Sequence, residues 1–392
     1  MTGPPASPDR IVELDALRGM AVIGIAWMNV YVFALPLQAY HNPAAYGADG
    51  AIDYALWAVS FVLVEDKFRT LFAMLFGLGI ALMWDRGSGW RDHLARMAVL
   101  LLIGIVHATL LASNDILRVY ALAGIVLPFF LRLGWHGLAA AGIVAVGLHL
   151  GGGYVWLSGL SADYLALNYG TRPDGIAQAL DLGRERFGER IVRRLHSLPA
   201  SFVPVAAAIP INLAAMLAGV ALWRSGVLPS KWSRGRALGL IVLCLLIALP
   251  ALGLIAFGTG SLRFDPETVA RNGLIVSAPF DLLLGCSYAI GLLAVFTRSK
   301  DRLLVRLLAA AGRLSLTNYL MTSVVFGAVF SSWGFDLFGR VSRAEAFALS
   351  FLATLPILLW SPLWLLRFGQ GPMERCWRAA TRMLTHKRRG KG

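Results

Sequence analysis

The sequence predicts an all-α, polytopic membrane bundle of about ten transmembrane helices, and three observations carry the prediction. Of 392 residues, 57% are hydrophobic and only 15% charged, against roughly a quarter charged in soluble domains. The mean hydropathy is +0.66. Apolar stretches such as 97–112, 237–257 and 344–366 are long enough to cross about 30 Å of hydrocarbon as helices. No single water-soluble core can hold that much apolar surface, so residues 1–392 read as one transmembrane domain.

Taken in order, the apolar runs between charged or Gly/Pro breaks give spans near 17–36, 67–84, 97–113, 115–132, 136–158, 202–223, 237–258, 273–297, 304–331 and 344–367. The chain starts with Pro-rich polar residues and shows no small-residue cleavage site after its first apolar run, which is expected to be a retained helix rather than a signal peptide. In the region 51–84, Glu65, Asp66, Lys67 and Arg69 interrupt an otherwise apolar sequence. The piece before them, 51–64, is short for a span and reads as an interfacial or re-entrant helix.

The formal charge of +14 is not a nucleic-acid signature here, because the Lys and Arg fall mainly between apolar segments. They act as topology determinants. With one crossing over 51–84, the loops placed in the cytoplasm hold 22 Lys and Arg and the short outer loops five. That asymmetry predicts both termini in the cytoplasm of an inner-membrane protein. The long loop 159–201 is then outside, where such loops largely escape the charge rule. Within it, RERFGERIVRRL (Arg184 to Leu195) sets Phe187, Ile191 and Leu195 opposite Arg186, Arg190 and Arg194. This fits a basic amphipathic helix on anionic lipid as well as a solvated helix with no partner. The tail 368–392 is basic enough to lie on anionic lipid too. Cys244, Cys286 and Cys376 have no metal spacing and imply neither metal nor disulfide.

Ionisable side chains inside spans are costly and mark function by default. They are Lys67, His107, Asp115, Asp281 and Arg313, with Asn29 and Asn318 as uncharged members. His107 on the third span and Asp115 at the start of the fourth could form an oriented general base. Equally, Asp115 could cap its helix and His107 could join helices as a hydrogen-bonding link. Lys67 and Arg69, at a break in an apolar segment, could hold an oxyanion or phosphate; alternatively Lys67 pairs with Glu65 or Asp66, or snorkels. Asp15 and Arg18 sit at the cytoplasmic mouth of the first span, where Arg18 could bind an anionic donor or merely anchor the helix.

Six runs resemble the YeiB family of membrane proteins, in the family's order and over nearly the whole chain: LDALRGMAVIGIAWMN (Leu14 to Asn29), KFRTLFAMLFGLG (Lys67 to Gly79), GIVHATLLASNDILRVYAL (Gly104 to Leu122), MLAGVALWRSG (Met216 to Gly226), GRLSLTNYL (Gly312 to Leu320) and GQGPMERCWR (Gly369 to Arg378). That family looks related to acyltransferase type 3 proteins and to heparan-alpha-glucosaminide N-acetyltransferase. The resemblance implies transfer of an acyl group, acetyl foremost, from cytoplasmic acyl-CoA to a hydroxyl or amine across the membrane. It runs mainly through LDALRG, and there is a departure. The catalytic His of acyltransferase type 3 proteins, eleven positions after the motif's Arg, is Asn29 here. The lysosomal enzyme also looks to have Asn there, with its His in the following luminal segment; His41 in YHNP lies at about that distance. Asn114 replaces an expected Gly and leaves Asp115 in register.

The resulting expectation is an acyl-CoA-dependent O- or N-acyltransferase without a metal, acting on a glycan, lipid or envelope metabolite. His107, Asp115, Lys67 and Asn29 are expected to be catalytic. Arg18, Asp15 and Arg69 are expected at the donor, and His41, Tyr120, Asn318 and Tyr319 at the acceptor. Membrane lipids are the expected partners, with a homodimer admitted. A transporter of a small anionic or amphipathic solute is the alternative, and a non-catalytic membrane partner a third.

Overall fold

The computed structural model describes residues 11–228 and 232–386; Arg10, Lys231 and residues 387–392, which enter the charge count and the basic tail, lie outside them. All regular structure among the described residues is helical. The first half comprises α1 (Val12–Ala34), α2 (Gln38–His41), α3 (Ala51–Leu63), α4 (Lys67–Asp85), α5 (Trp90–Leu110), α6 (Ile116–Val126), α7 (Trp135–Ser158), α8 (Ala162–Tyr169), α9 (Pro173–Arg184) and α10 (Phe187–His196). The second half comprises α11 (Phe202–Arg224), α12 (Arg234–Ser261), α13 (Pro266–Arg271), α14 (Ala278–Arg298), α15 (Leu303–Arg313), α16 (Ser315–Phe330), α17 (Arg343–Phe368) and α18 (Pro372–His386). Eight candidate spans are long and apolar enough to cross a membrane, with Ala51–Asp85 counted as one of them, and Ile116–Phe130 and Ser315–Phe330 are shorter apolar helices. The molecule is an all-α membrane bundle.

The break expected within 51–84 is present, and one expected span is subdivided. The segment 51–85 breaks at Asp66, whose φ of 61° is the left-handed conformation that Asp tolerates better than most side chains. The expected span 304–331 is two helices that break at Leu314. Arg313 therefore sits at a helix end, donating to the Gly369 carbonyl at 3.1 Å, rather than inside a span. Amphipathic α15 crosses α1 closely: a Cβ on Gly312 would lie 1.8 Å from the Asp15 carbonyl oxygen, and one on Gly19 2.1 Å from that of Leu308. Only glycine allows such backbone contact, the small-residue packing that joins helices where lipid supplies no hydrophobic drive.

Contacts between loops fall at two opposite ends. At one end, Arg224 pairs with Asp85 at 3.4 Å, Arg91 donates to the Thr385 carbonyl at 2.9 Å and Trp377 to that of Arg96 at 2.9 Å. The described part of the basic tail is thus a helix, α18, packed on α5. At the other end, Gln38 donates to the Leu167 carbonyl at 2.9 Å, Asn42 to that of Tyr169 at 2.8 Å, and Asp53 accepts from the Ala344 amide at 2.9 Å. Loops 36–50 and 159–201 therefore share one end, and 85–96, 224 and α18 the other.

The basic amphipathic helix, for which a lipid surface and solvent were both open, turns two of its arginines inward. In α10, Arg190 is 8% exposed and bonds Ser331 Oγ at 2.9 Å and the Gly183 carbonyl at 2.7 Å. Arg194 reaches the Ala108 and Thr109 carbonyls at 3.5 and 3.4 Å. These are among the last carbonyls of α5, which lack helical partners, and the cations complement that end of the helix dipole. Burial lowers both guanidinium pKa values, Arg194 to about 10. Phe187, Val192 and Leu195 face outward.

Candidate active site

The break at 64–66 and the second half of α1 build a small cleft of about 30 Å³ lined by Asn29, Tyr40, Asp66, Arg69 and Asn114 among others. Arg69 and Asp66 form an ion pair at 2.8 Å across one helical turn. Tyr120, expected at the acceptor, donates its hydroxyl to the Arg69 carbonyl at 2.7 Å. Its ring lies nearly parallel to those of Phe72 and Phe76, so it braces the start of α4 behind the cleft wall.

Two histidine–carboxylate pairs adjoin residues of this cleft without lining it themselves. On one side His41, whose ring adjoins that of cleft-lining Tyr40 at 4.7 Å, places Nδ1 3.0 Å from Glu65 Oε1, with side chains 17% and 5% exposed, a close approach that is not aligned as a hydrogen bond. Its Nε2 has no partner among the described residues. The segment is pinned by Trp57, which donates to the His41 carbonyl at 3.1 Å. Arg343, stacked on Tyr31 at 4.3 Å, donates to the Ala39 and Tyr40 carbonyls.

On the other side Asp115, between cleft-lining Asn114 and Ile116, makes both contacts left open above, to its helix end and to His107. Its Oδ2 caps α6 by accepting from the Arg118 amide at 2.9 Å, and its Oδ1 meets His107 Nδ1 at 2.8 Å. His107 Nε2 is taken by Ser323 Oγ at 2.9 Å, joining α5 to α16. Tyr319 approaches the same carboxylate at 3.5 Å and packs its ring 5.1 Å from that of His107. His107 and Ser323 are 2% and 1% exposed. The arrangement has the connectivity of a serine triad, but it is closed and both imidazole nitrogens are engaged.

Other expected site residues lie elsewhere. Lys67 faces the interior, yet its ammonium meets Asp281 Oδ1 at 2.7 Å and donates to the Phe61 carbonyl. Its partner is thus on α14, not Glu65 or Asp66. Asn318 is fully satisfied by the Ala311 carbonyl, Ser361 Oγ and the Trp360 indole at 2.9–3.1 Å, a junction of α15, α16 and α17. Arg18 holds Asp15 at 3.0 Å and is 29% exposed, beside Gly79 of α4 and toward the α18 end. No cluster of metal-ligating side chains occurs among the described residues.

Glu65, Ser323, Tyr40 and Arg343 were not singled out by sequence reasoning as site or scaffold residues. Glu65 could have been found as a carboxylate in an apolar segment. Ser323 and Tyr40 carry no charge that would draw attention, and Arg343 is indistinguishable from a loop arginine until its burial is known.

Comparison with known proteins places the cleft in context. Residues 10–163, which contain every residue lining the cleft, match the family "Heparan-alpha-glucosaminide N-acetyltransferase, catalytic", and residues 222–384 match "Protein of unknown function (DUF418)". No solved structure matches the chain. The uncharacterized protein YxaH of Bacillus subtilis (strain 168) is 28% identical over 96% of this chain and 96% of its own length. The uncharacterized protein YeiB of Escherichia coli (strain K12) is 33% identical over 95% of this chain and 96% of its own. An identity of that level along the whole of both chains makes this protein a member of the YeiB family of membrane proteins.

Proposed function

We propose that the protein is an acyl-CoA-dependent membrane acyltransferase whose reaction takes place at the cleft between α1 and α4, with His41 as the general base. The observation that carries this reading is that the whole cleft wall falls within the segment resembling a catalytic acetyltransferase region. Beside the cleft, one His–carboxylate pair keeps a ring nitrogen free. At His107, the base expected from sequence, Nε2 faces Ser323, and both side chains are buried away from an incoming acceptor. Its network is better suited to holding α5, α6 and α16 in register.

In the reaction, His41 Nε2 takes the proton of an acceptor hydroxyl or amine while Glu65 holds the imidazolium at Nδ1. The acceptor atom bonds to the thioester carbonyl carbon, whose oxyanion is stabilised by the amide of Asn29 and the guanidinium of Arg69. Collapse breaks the C–S bond, and the proton passes from His41 to the departing thiolate. Acyl-CoA is the donor substrate. Arg18, eleven residues before Asn29 on α1 and so about 16 Å away, suits its phosphates, which would exchange for Asp15.

The basic end with α18 is assigned to the cytoplasm of the inner membrane by the distribution of Lys and Arg. The cleft then lies in the outer half, where a glycan, lipid or envelope metabolite reaches it. The test uses sealed vesicles of phosphatidylethanolamine and phosphatidylglycerol containing the full chain. Acetyl-CoA added on the α18 side should release free CoA thiol when an envelope extract is present on the other side. Uptake of labelled solute from that extract without thiol release would instead make the protein a transporter.

A further inference from the structure

Away from the cleft, the packed pair α7–α11 and the packed pair α12–α14 do not close fully on each other. They bound a cavity of about 470 Å³ that is open on a lateral side. It shares none of its lining residues with the active-site cleft. Its floor is tightly packed: Leu138 and Ala214 are 0% exposed and Val227 4%. Nearly every lining side chain is apolar, Ser225 being the one hydroxyl. In water such a surface would be a liability, and inside a bilayer it is a slot for hydrocarbon.

Length, rim and charge specify the occupant. The lining runs from Trp135 to Val146 on α7 and back from Ser225 to Ala214 on α11, about three turns each or roughly 16 Å, the scale of one extended acyl chain. At the basic end the lining includes Trp135 and Trp232, side chains that favour the membrane–water interface. Just outside that rim Arg132, Arg234 and Arg236 are exposed, and none of the three is in an ion pair among the described residues. Arg224, which also lies there, is already committed to Asp85 and two carbonyls. Three uncommitted cations above a hydrocarbon slot match an anionic headgroup above its tail.

We propose that this cavity is a binding site for an anionic glycerophospholipid of the leaflet at the α18 end. One acyl chain lies between α7 and α14, and the phosphate is held by Arg132, Arg234 and Arg236. The site is independent of the acyltransferase reading.

The full chain in mixed vesicles would be irradiated with phosphatidylglycerol carrying a diazirine near the end of one acyl chain, or with the same probe built on phosphatidylcholine, and the adducts mapped by mass spectrometry. Adducts should concentrate on Gly142–Val146 and Leu282–Cys286, with phosphatidylglycerol the stronger label. Excess unlabelled phosphatidylglycerol should compete there and not at Leu355 or Leu359, exposed on α17. A Cβ on Gly142 would have nothing nearer than 3.8 Å, so Gly142→Leu enters the slot without a backbone clash. Together with Ala218→Leu it should cut labelling by about tenfold, as displacement of two or so methylenes predicts. The surface pair Arg234→Gln and Arg236→Gln should erase the preference for phosphatidylglycerol without touching the core. Equal labelling of the slot and of α17, or no preference for phosphatidylglycerol in the unmodified protein, would overturn the proposal.

Discussion

Replacing Lys67 by Met removes one member of an ion pair at 2.7 Å whose side chains are 1% and 4% exposed. At that separation, with an effective dielectric constant of about 20, the attraction is on the order of 6 kcal/mol. Most of it offsets the desolvation of two charges. Lys67→Met leaves the Asp281 carboxylate buried without its cation, and Asp281→Asn leaves the ammonium, so each should cost about 3–5 kcal/mol. Lys67→Met combined with Asp281→Leu removes both charges and should cost far less than the two single effects added. The assay is the thermal midpoint of the full chain in detergent. Each single variant should lose roughly 4–6 °C, and the double variant should recover most of that loss. A double variant as unstable as the sum of the two singles would refute the pairing argument. It would return Lys67 to the candidates for direct contact with substrate.

Asn29→Ala should lower the turnover rate by about 10²–10³-fold, the loss typical of one oxyanion donor, with the donor's KM little changed in steady-state thiol release. Gly312→Val drives a branched side chain into the Asp15 carbonyl, where even a Cβ has only 1.8 Å; separating α1 from α15 should destabilise by at least about 1–3 kcal/mol, read as a lower thermal midpoint. Arg194→Ala frees the carbonyls at the end of α5, so hydrogen exchange over 187–196 and 107–111 should quicken while α11 is unaffected.

The spans, the break at 64–66, the loops at each end and the proximity of His107 to Asp115 were legible in sequence because each rests on local patterns: apolar length, charge position and helix-start chemistry. Three features were not. The orientation of α10 depends on which surface offers carbonyls to its arginines, and those of Ala108 and Thr109 belong to α5, 86 and 85 residues from Arg194 in the chain. The choice of Asp281 over Glu65 or Asp66 for Lys67 is a tertiary decision among three carboxylates. The break at Leu314 lies in an apolar run whose composition alone does not separate an interfacial helix from a span. The site was half legible for the same reason. Asn29, Arg69 and His41 could be named, but the free nitrogen of His41 and the closed network of His107 depend on Glu65 and Ser323, which only the fold brings to them.

The most direct test of the assigned chemistry compares His41→Ala with His107→Ala in single-turnover discharge of labelled acetyl-CoA, with donor binding measured on the same samples. Loss of the base should slow discharge by about 10²–10⁴-fold in His41→Ala while donor affinity and thermal midpoint stay near those of the unmodified protein. His107→Ala, which opens the contacts to Asp115 and Ser323, should chiefly lower the midpoint. Near-normal discharge by His41→Ala, together with a correctly folded His107→Ala that binds donor but cannot discharge it, would contradict the account and make His107 the base.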